Sequence, residues 1–309
     1  MSARRSFPWA AGLLAVLVAI TAACGGADDG TAAPSQALDG YVLVAGQRIH
    51  FKVQGEGDEV LILLHGFGGN AFSFRHQMGP LSTGRRVYAV DLLGFGYSDR
   101  PLDGDYSLAG QARLVAGFMD ALKIERAAVA GHSIGGAIAL RLALDYPQKV
   151  TRLILIDPAL GGGGEETGGD FMSRMGGGLV GQGRDPVEAL VRQILLNSYY
   201  DDSLVTEEVV EGYARPLRDI PLDELVALLA KMARDNPGGS AVPDAEPVRQ
   251  SVLVVWGAED EIIPVASAED LRRRIPHAQV EIVEAAGHLP MEEKPDIVND
   301  LIRAFLKTD

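Results

Sequence analysis

The chain has 309 residues, 47% of them hydrophobic, enough for one large core carrying an insertion, so two unrelated domains are not required. Its formal net charge of −14 argues against nucleic acid or an anionic membrane surface as a partner. Cys24 is the only cysteine, which excludes an intramolecular disulfide.

At the N-terminus, Arg4 and Arg5 precede an apolar stretch from Trp9 to Ile20 that is short for a membrane span, and small residues follow. This is the layout of an export signal over residues 1–23, and Arg4-Arg5-Ser6-Phe7 also suits a twin-arginine route. Cys24, between Thr21-Ala22-Ala23 and Gly25-Gly26, resembles the lipidation site of a bacterial lipoprotein, with Thr21 where leucine is usual. The resemblance implies an exported chain held on the membrane through a lipid on Cys24; ordinary cleavage near Ala23 would leave it secreted. Residues 24–38 are rich in Gly, Ala, Asp, Thr and Ser without apolar periodicity and read as a flexible tether.

The remaining elements follow in order. Tyr41–Val44 and Arg48–Gln54 alternate in polarity around Ala45-Gly46-Gln47, as a β-hairpin does. Val60–Leu64, Arg86–Val90 and Ala127–Ala130 are nearly continuous apolar runs, the pattern of parallel strands buried on both faces. Leu153–Ile156, Val252–Trp256 and Val280–Val283 repeat it, and helical patterns fall at Leu108–Leu122, Ile134–Tyr146 and Ala266–Ile275. Together these predict an α/β fold: a mostly parallel, eight-stranded sheet with helices on both faces. Between Asp157 and Ser251 lies more chain than one crossover needs, with Gly161–Gly164, Gly176–Gly178 and helical patterns at Pro186–Tyr199 and Pro221–Arg234. We read a helical cap over residues 159–245, inserted after the sixth strand into a core of 39–158 and 246–309.

Gly131-His132-Ser133-Ile134-Gly135 places a G-x-S-x-G pentapeptide between a strand and a helix, a context that presents an exposed serine hydroxyl at a strained turn. Serine needs a base, and the base needs a group that holds its tautomer. Asp260 and His288 each follow a later strand, so with Ser133 they fall at the carboxyl ends of strands, where reactive groups of open parallel sheets converge. Glu259, Glu261 and Asp157 compete with Asp260 for the acid's place.

The order Ser, Asp, His and the segments HGFGG (65–69), DLLGFGYSD (91–99), GHSIGG (131–136), WGAEDEIIP (256–264) and GHLPMEEKP (287–295) are similar to those of capped α/β-hydrolases, from about residue 40 to the C-terminus. The resemblance implies that Ser133 attacks a carbonyl, His288 shuttles the proton and Asp260 orients it, with backbone N–H groups of Phe67 and Ile134 as the oxyanion hole. His65 and His132 are expected to orient loops, Asp91 to tie down the loop after its strand, and His50, His76 and His277 to be surface or structural residues. Phe171, Met172, Tyr199 and Tyr200 are candidates for the cap's substrate pocket. Scattered histidines and the lack of a Walker G-K-[ST] predict no metal site and no cofactor.

The function so implied is an exported serine hydrolase acting on a small-molecule carboxylic ester or lipid, such as an esterase or acylglycerol lipase. A serine at the elbow excludes the alkyl-ester intermediate that dehalogenases and epoxide hydrolases form on aspartate. The same triad also serves carbon–carbon bond hydrolases and cofactor-free perhydrolases, and a non-catalytic surface lipoprotein is the reading from another class.

Overall fold

Ala45 and Gly46 both take positive φ, 50° and 85°, and so form the two-residue turn whose twist matches a hairpin. The hairpin joins β1 (Leu38–Val44) to β2 (Gln47–Gln54), in a computed structural model that describes residues 36–160, 186–236 and 248–307. Six further strands follow: β3 (Glu59–Leu64), β4 (Arg85–Val90), β5 (Ala127–His132), β6 (Val150–Ile156), β7 (Ser251–Gly257) and β8 (Gln279–Val283). They form one eight-stranded sheet in the order β1-β2-β4-β3-β5-β6-β7-β8. Pairings of β2 with β1 and with β4 are antiparallel and all others are parallel, as the apolar runs predict.

Successive side chains of a strand point to opposite faces, and β3 divides its residues accordingly. Ile62 and Leu64 join one core layer with α2 (Leu108–Ala121) and α3 (Ile134–Asp145). Leu61 and Leu63 join the other with α1 (Arg75–Leu81) and the C-terminal helix. Between β6 and β7, where the sequence predicts the cap, lie α4 (Pro186–Ser198), α5 (Glu207–Ala214) and α6 (Leu222–Asp235). Val191, Leu195, Val210 and Tyr213 of the first two share the second core layer, whereas Leu228 and Met232 of α6 share the first. The chain then completes α7 (Ala266–Arg274), α8 (Pro290–Glu293) and α9 (Pro295–Lys307).

Several boundaries differ from expectation. Leu38, assigned to the tether, begins β1, because its register partner Val53 already belongs to the sheet. Helix α1 is not predicted by the sequence pattern, since it carries Gly79 and Pro80, poor helix formers that buried Met78 and Leu81 offset by packing. Helix α5 is only eight residues long, too short for its period to stand out. Residues 1–35, with the proposed signal and Cys24, and the glycine clusters at 161 and 176 lie outside the described residues. Among the described residues no helix is long and apolar enough to cross a membrane.

The turn from β5 into α3 packs backbone against backbone: a Cβ on Gly135 would stand 2.3 Å from the Leu64 carbonyl oxygen and 2.4 Å from that of His65. Neither neighbour is a side chain that could swing aside. Gly135→Ala is therefore expected to destabilise the fold by about 3 kcal/mol, read as a lowered midpoint of denaturant unfolding.

Candidate active site

Ser133 follows β5 directly, with φ 53° and ψ −121°, and stands at the N-cap of α3. Its N–H donates to Ile156 O at 2.9 Å and its carbonyl accepts from Ala159 N–H at 3.0 Å, so β6 and the loop after it clamp the turn from the side. Ser133 Oγ is buried without a hydrogen-bond partner and faces the cavity described below. Ile134 opens α3, where the first N–H groups of a helix have no intrahelical acceptor. Phe67 lies in the loop after β3, which meets the elbow so closely that a Cβ on Gly66 would fall 3.1 Å from Ser133 Cβ.

Two histidines brace these loops. His65 Nδ1–H donates to Gly66 O at 2.7 Å while its Nε2 accepts Leu92 N–H at 3.0 Å, a pair that fixes the tautomer. His132 Nε2–H donates to the carbonyl of His288 at 2.6 Å, and the two rings lie 4.8 Å apart. Burial holds both His65 and His132 below the usual histidine range, so each stays neutral beside its neighbours. Asp91 accepts Ala71 N–H at 2.6 Å and Tyr97 N–H at 2.7 Å, and pairs with buried His50 at 2.8 Å, tying the loops after β3 and β4 together.

Asp260 and His288 sit in the loops after β7 and β8, and His288 Nδ1 is 2.7 Å from Asp260 Oδ2. Asp260 Oδ1 accepts N–H bonds from Ile262 at 2.8 Å and Ile263 at 2.9 Å, which leaves the carboxylate little freedom to turn. His288 Nε2, like Ser133 Oγ, is buried with no hydrogen-bond partner and lines the same cavity. Of the competitors, Glu259 accepts Ala286 N–H at 3.0 Å and supports the loop, while Asp157 lies fully buried beside Asp260.

The cavity above Ser133 has a volume of about 340 Å³. Its floor is the loop Gly66–Gly69 with Phe95, His132, Ser133 and His288, and its roof is the cap. Leu190, Val191, Ile194 and Leu195 come from α4, and Leu225, Leu228, Leu229 and Met232 from α6. Among the described lining residues the polar groups are Ser73, Ser198, Tyr213, Ser133 and the two histidines, with no charged lysine, arginine, aspartate or glutamate.

The alpha/beta hydrolase fold family model matches residues 59–295. The chain belongs to that family. It is 33% identical to the 2-hydroxymuconate semialdehyde hydrolase of Pseudomonas putida over 276 residues, 86% of this chain and 92% of the relative. Among solved structures it resembles a meta-cleavage product hydrolase from Pseudomonas fluorescens IP01, with TM-score 0.73 and 28% identity over 86% of this chain and 96% of that one. A membrane phospholipase A described as a bacterial virulence factor matches with TM-score 0.71 and 25% identity, over 87% of this chain and 86% of that one.

In this alpha/beta hydrolase, two of the residues expected in the pocket are elsewhere. Tyr199 donates its hydroxyl to Glu292 at 2.5 Å, and Tyr200 is 55% exposed; neither lines the cavity. Helix α4 ends at Ser198, so the stripe Val191, Leu195 continues into the wall while Tyr199 turns away. Phe171 and Met172 lie outside the described residues. The period Leu225, Leu228, Leu229, Met232 was the signal for the true roof, since i, i+3, i+4, i+7 spacing marks one helix face.

Glu292 and Glu293 carried no signal of their own. Glu292 accepts from the hydroxyls of Tyr199 and Tyr213 and pairs with Arg75, joining cap to core. Burial and then Glu292 push both phenols above the usual tyrosine range, so they remain donors. Glu293 accepts Gly287 N–H at 2.7 Å through one oxygen, and Tyr200 and Asp201 N–H at 2.9 and 3.0 Å through the other. His288 N–H in turn donates to Ser198 O at 2.7 Å. Glu293→Ala would orphan three backbone donors, at about 1–3 kcal/mol for each that stays dry. The expected result is a loss of at least about 2 kcal/mol in unfolding free energy, with kcat falling more than KM rises because the His288 loop loses its anchor.

Proposed function

We propose that this alpha/beta hydrolase attacks a carbonyl carbon with Ser133 and passes through an acyl-enzyme. His288 takes the serine proton and returns it to the leaving group, while Asp260 holds the imidazole with Nδ1–H towards itself. N–H groups of Phe67 and Ile134 receive the oxyanion, a donor pair of which each member is worth about 3 kcal/mol in the barrier.

The observation that carries the substrate class is the cavity lining. Apolar cap side chains and the absence of any charged group among the described lining residues favour an uncharged acyl chain, hence a carboxylic ester. A carboxylate buried there would need a cation or several donors to offset desolvation. The named relatives speak more directly for another bond: hydrolases of 2-hydroxymuconate semialdehyde and of meta-cleavage products support carbon–carbon bond hydrolysis. That second reading keeps the same serine chemistry, with a carbanion equivalent as the leaving group.

A fluorophosphonate probe is expected to label the wild type and not Ser133→Ala; an intact protein that never labels ends both readings. On a p-nitrophenyl ester series, kcat/KM should rise about fourfold per methylene buried, from ~0.8 kcal/mol each, until the cavity is full. Negligible ester turnover beside rapid cleavage of a vinylogous diketone acid would select the carbon–carbon reading.

We further propose that the chain is exported and lipidated on Cys24, a reading that rests on the sequence of residues 1–24. Cys24→Ser is expected to move the protein from the detergent phase to the aqueous phase on partitioning of expressing cells.

A further inference from the structure

Asp157 is the residue after β6, fully buried, with φ 41°, in backbone space that few side chains occupy. Its N–H donates to Val255 O at 3.0 Å and its Oδ1 accepts Gly257 N–H at 2.9 Å, so the side chain is bolted to β7 just before the loop that carries Asp260. One oxygen of Asp157, one of Asp260 and one ring nitrogen of His288 all lie within 4.8 Å of one another. Asp157 Oδ2 is buried with no hydrogen-bond partner.

Two carboxylates this close, both cut off from water, cannot comfortably carry two charges. Asp260 is the one equipped to be the anion, since its oxygens already accept two backbone N–H groups and the His288 imidazole. Asp157 has one N–H donor and one bare oxygen. A single proton on that oxygen resolves the repulsion and satisfies the atom at once. A divalent cation would find only one uncommitted oxygen here, too few for the six or more oxygen ligands that hard cations take.

We propose that Asp157 is a neutral carboxylic acid that donates its Oδ2 proton to Asp260, and that it is a positioning residue for the Asp260–His288 pair. This rests on the triad reading above. Burial, then the Asp260 carboxylate and more weakly Glu293, push Asp157 well above the usual carboxylate range, against the pull of Gly257 N–H. The donated hydrogen bond spreads the Asp260 charge, so the carboxylate draws on the imidazole proton less strongly than a bare anion would. An ionised Asp157 would do the opposite, adding a second negative charge beside the imidazole.

Asn and Gly separate the roles. Asn keeps the size, tolerates positive φ and offers a permanent N–H to Asp260; Gly removes the group while accepting φ 41° without strain. Asp157→Gly is expected to lower kcat/KM tenfold or more and to move the acid limb of its pH profile up by about half a unit or more. Asp157→Asn should recover most of that loss and bring the limb back towards its wild-type position. Equal displacement of the limb in both variants overturns the proposal.

A second measurement stands if the Gly variant does not fold. Wild-type protein at pH 7 should show the infrared C=O band of a protonated carboxyl that Asp157→Asn lacks, and the absence of such a difference overturns the assignment. Stability gives an independent sign. Because Asp157 holds its proton more tightly folded than unfolded, wild-type stability falls as pH rises above the unfolded carboxylate value of about 3.9 towards the folded one. Asn has no proton to lose, so the melting temperature of Asp157→Asn minus that of wild type should be larger at pH 7 than at pH 4. A stoichiometric divalent ion in the purified protein would also overturn the proton. Failure of the triad reading is distinguishable, since it abolishes fluorophosphonate labelling but leaves the band and the stability difference in place.

Discussion

At φ 53° and ψ −121°, Ser133 occupies backbone space that costs on the order of 1–3 kcal/mol to hold. The strands hold it. Its N–H is taken by Ile156 at the end of β6 and its carbonyl by Ala159 in the loop beyond, while Leu64 at the end of β3 and His65 just after it press against the first turn of α3. Three parallel strands therefore have to be paired in register before the serine can sit at the tip. The rest of the site inherits its position from that register, because the loops after β3, β7 and β8 leave the same edge of the same sheet.

Charge is distributed around the cavity with a clear division. Apolar side chains from α4 and α6 make the roof, while the Arg75–Glu292 ion pair, with the phenols of Tyr199 and Tyr213 donating to it, lies behind the wall. Removing Arg75 would leave the buried Glu292 carboxylate without its cation, a loss that for fully buried pairs typically costs about 3–5 kcal/mol. Among the described residues, Tyr213 and Ser73, whose hydroxyls are 2.9 Å apart, link the two regions. The division leaves the cavity of low polarity, where the N–H donors proposed for an oxyanion would act with less screening than in water.

The sheet was legible because its central strands are buried on both faces and read as unbroken apolar runs bounded by loops. Ser133, Asp260 and His288 were legible for a related reason: each falls after a strand-like segment, Ser133 directly and the other two a few residues on, so the strand end assigns it to one edge of the sheet. The same logic could not reach the cap. Its helices are short or amphipathic in an ordinary way, and which face meets the cavity depends on where α4 stops, a matter of one residue between Ser198 and Tyr199. Glu292 and Glu293 were hidden because acids in the first turn of a helix are the common complement of its dipole. Only the fold reveals that both turn inward. Asp157 was visible as a rival for the acid's place, yet its pairing with Asp260 needs the distance between two loops some hundred residues apart, which no local pattern encodes.

Glu293 holds the base loop with one oxygen and the end of the first cap helix with the other. The two attachments share a single carboxylate, so order in one is order in the other. Thermodynamic linkage makes such a coupling reciprocal. A molecule that fills the chamber and steadies α4 stiffens the imidazole's support by the same free energy with which a well-set imidazole favours that molecule's binding. Ligand fit and the readiness of the proposed proton shuttle are then, through one glutamate, two readings of a single equilibrium.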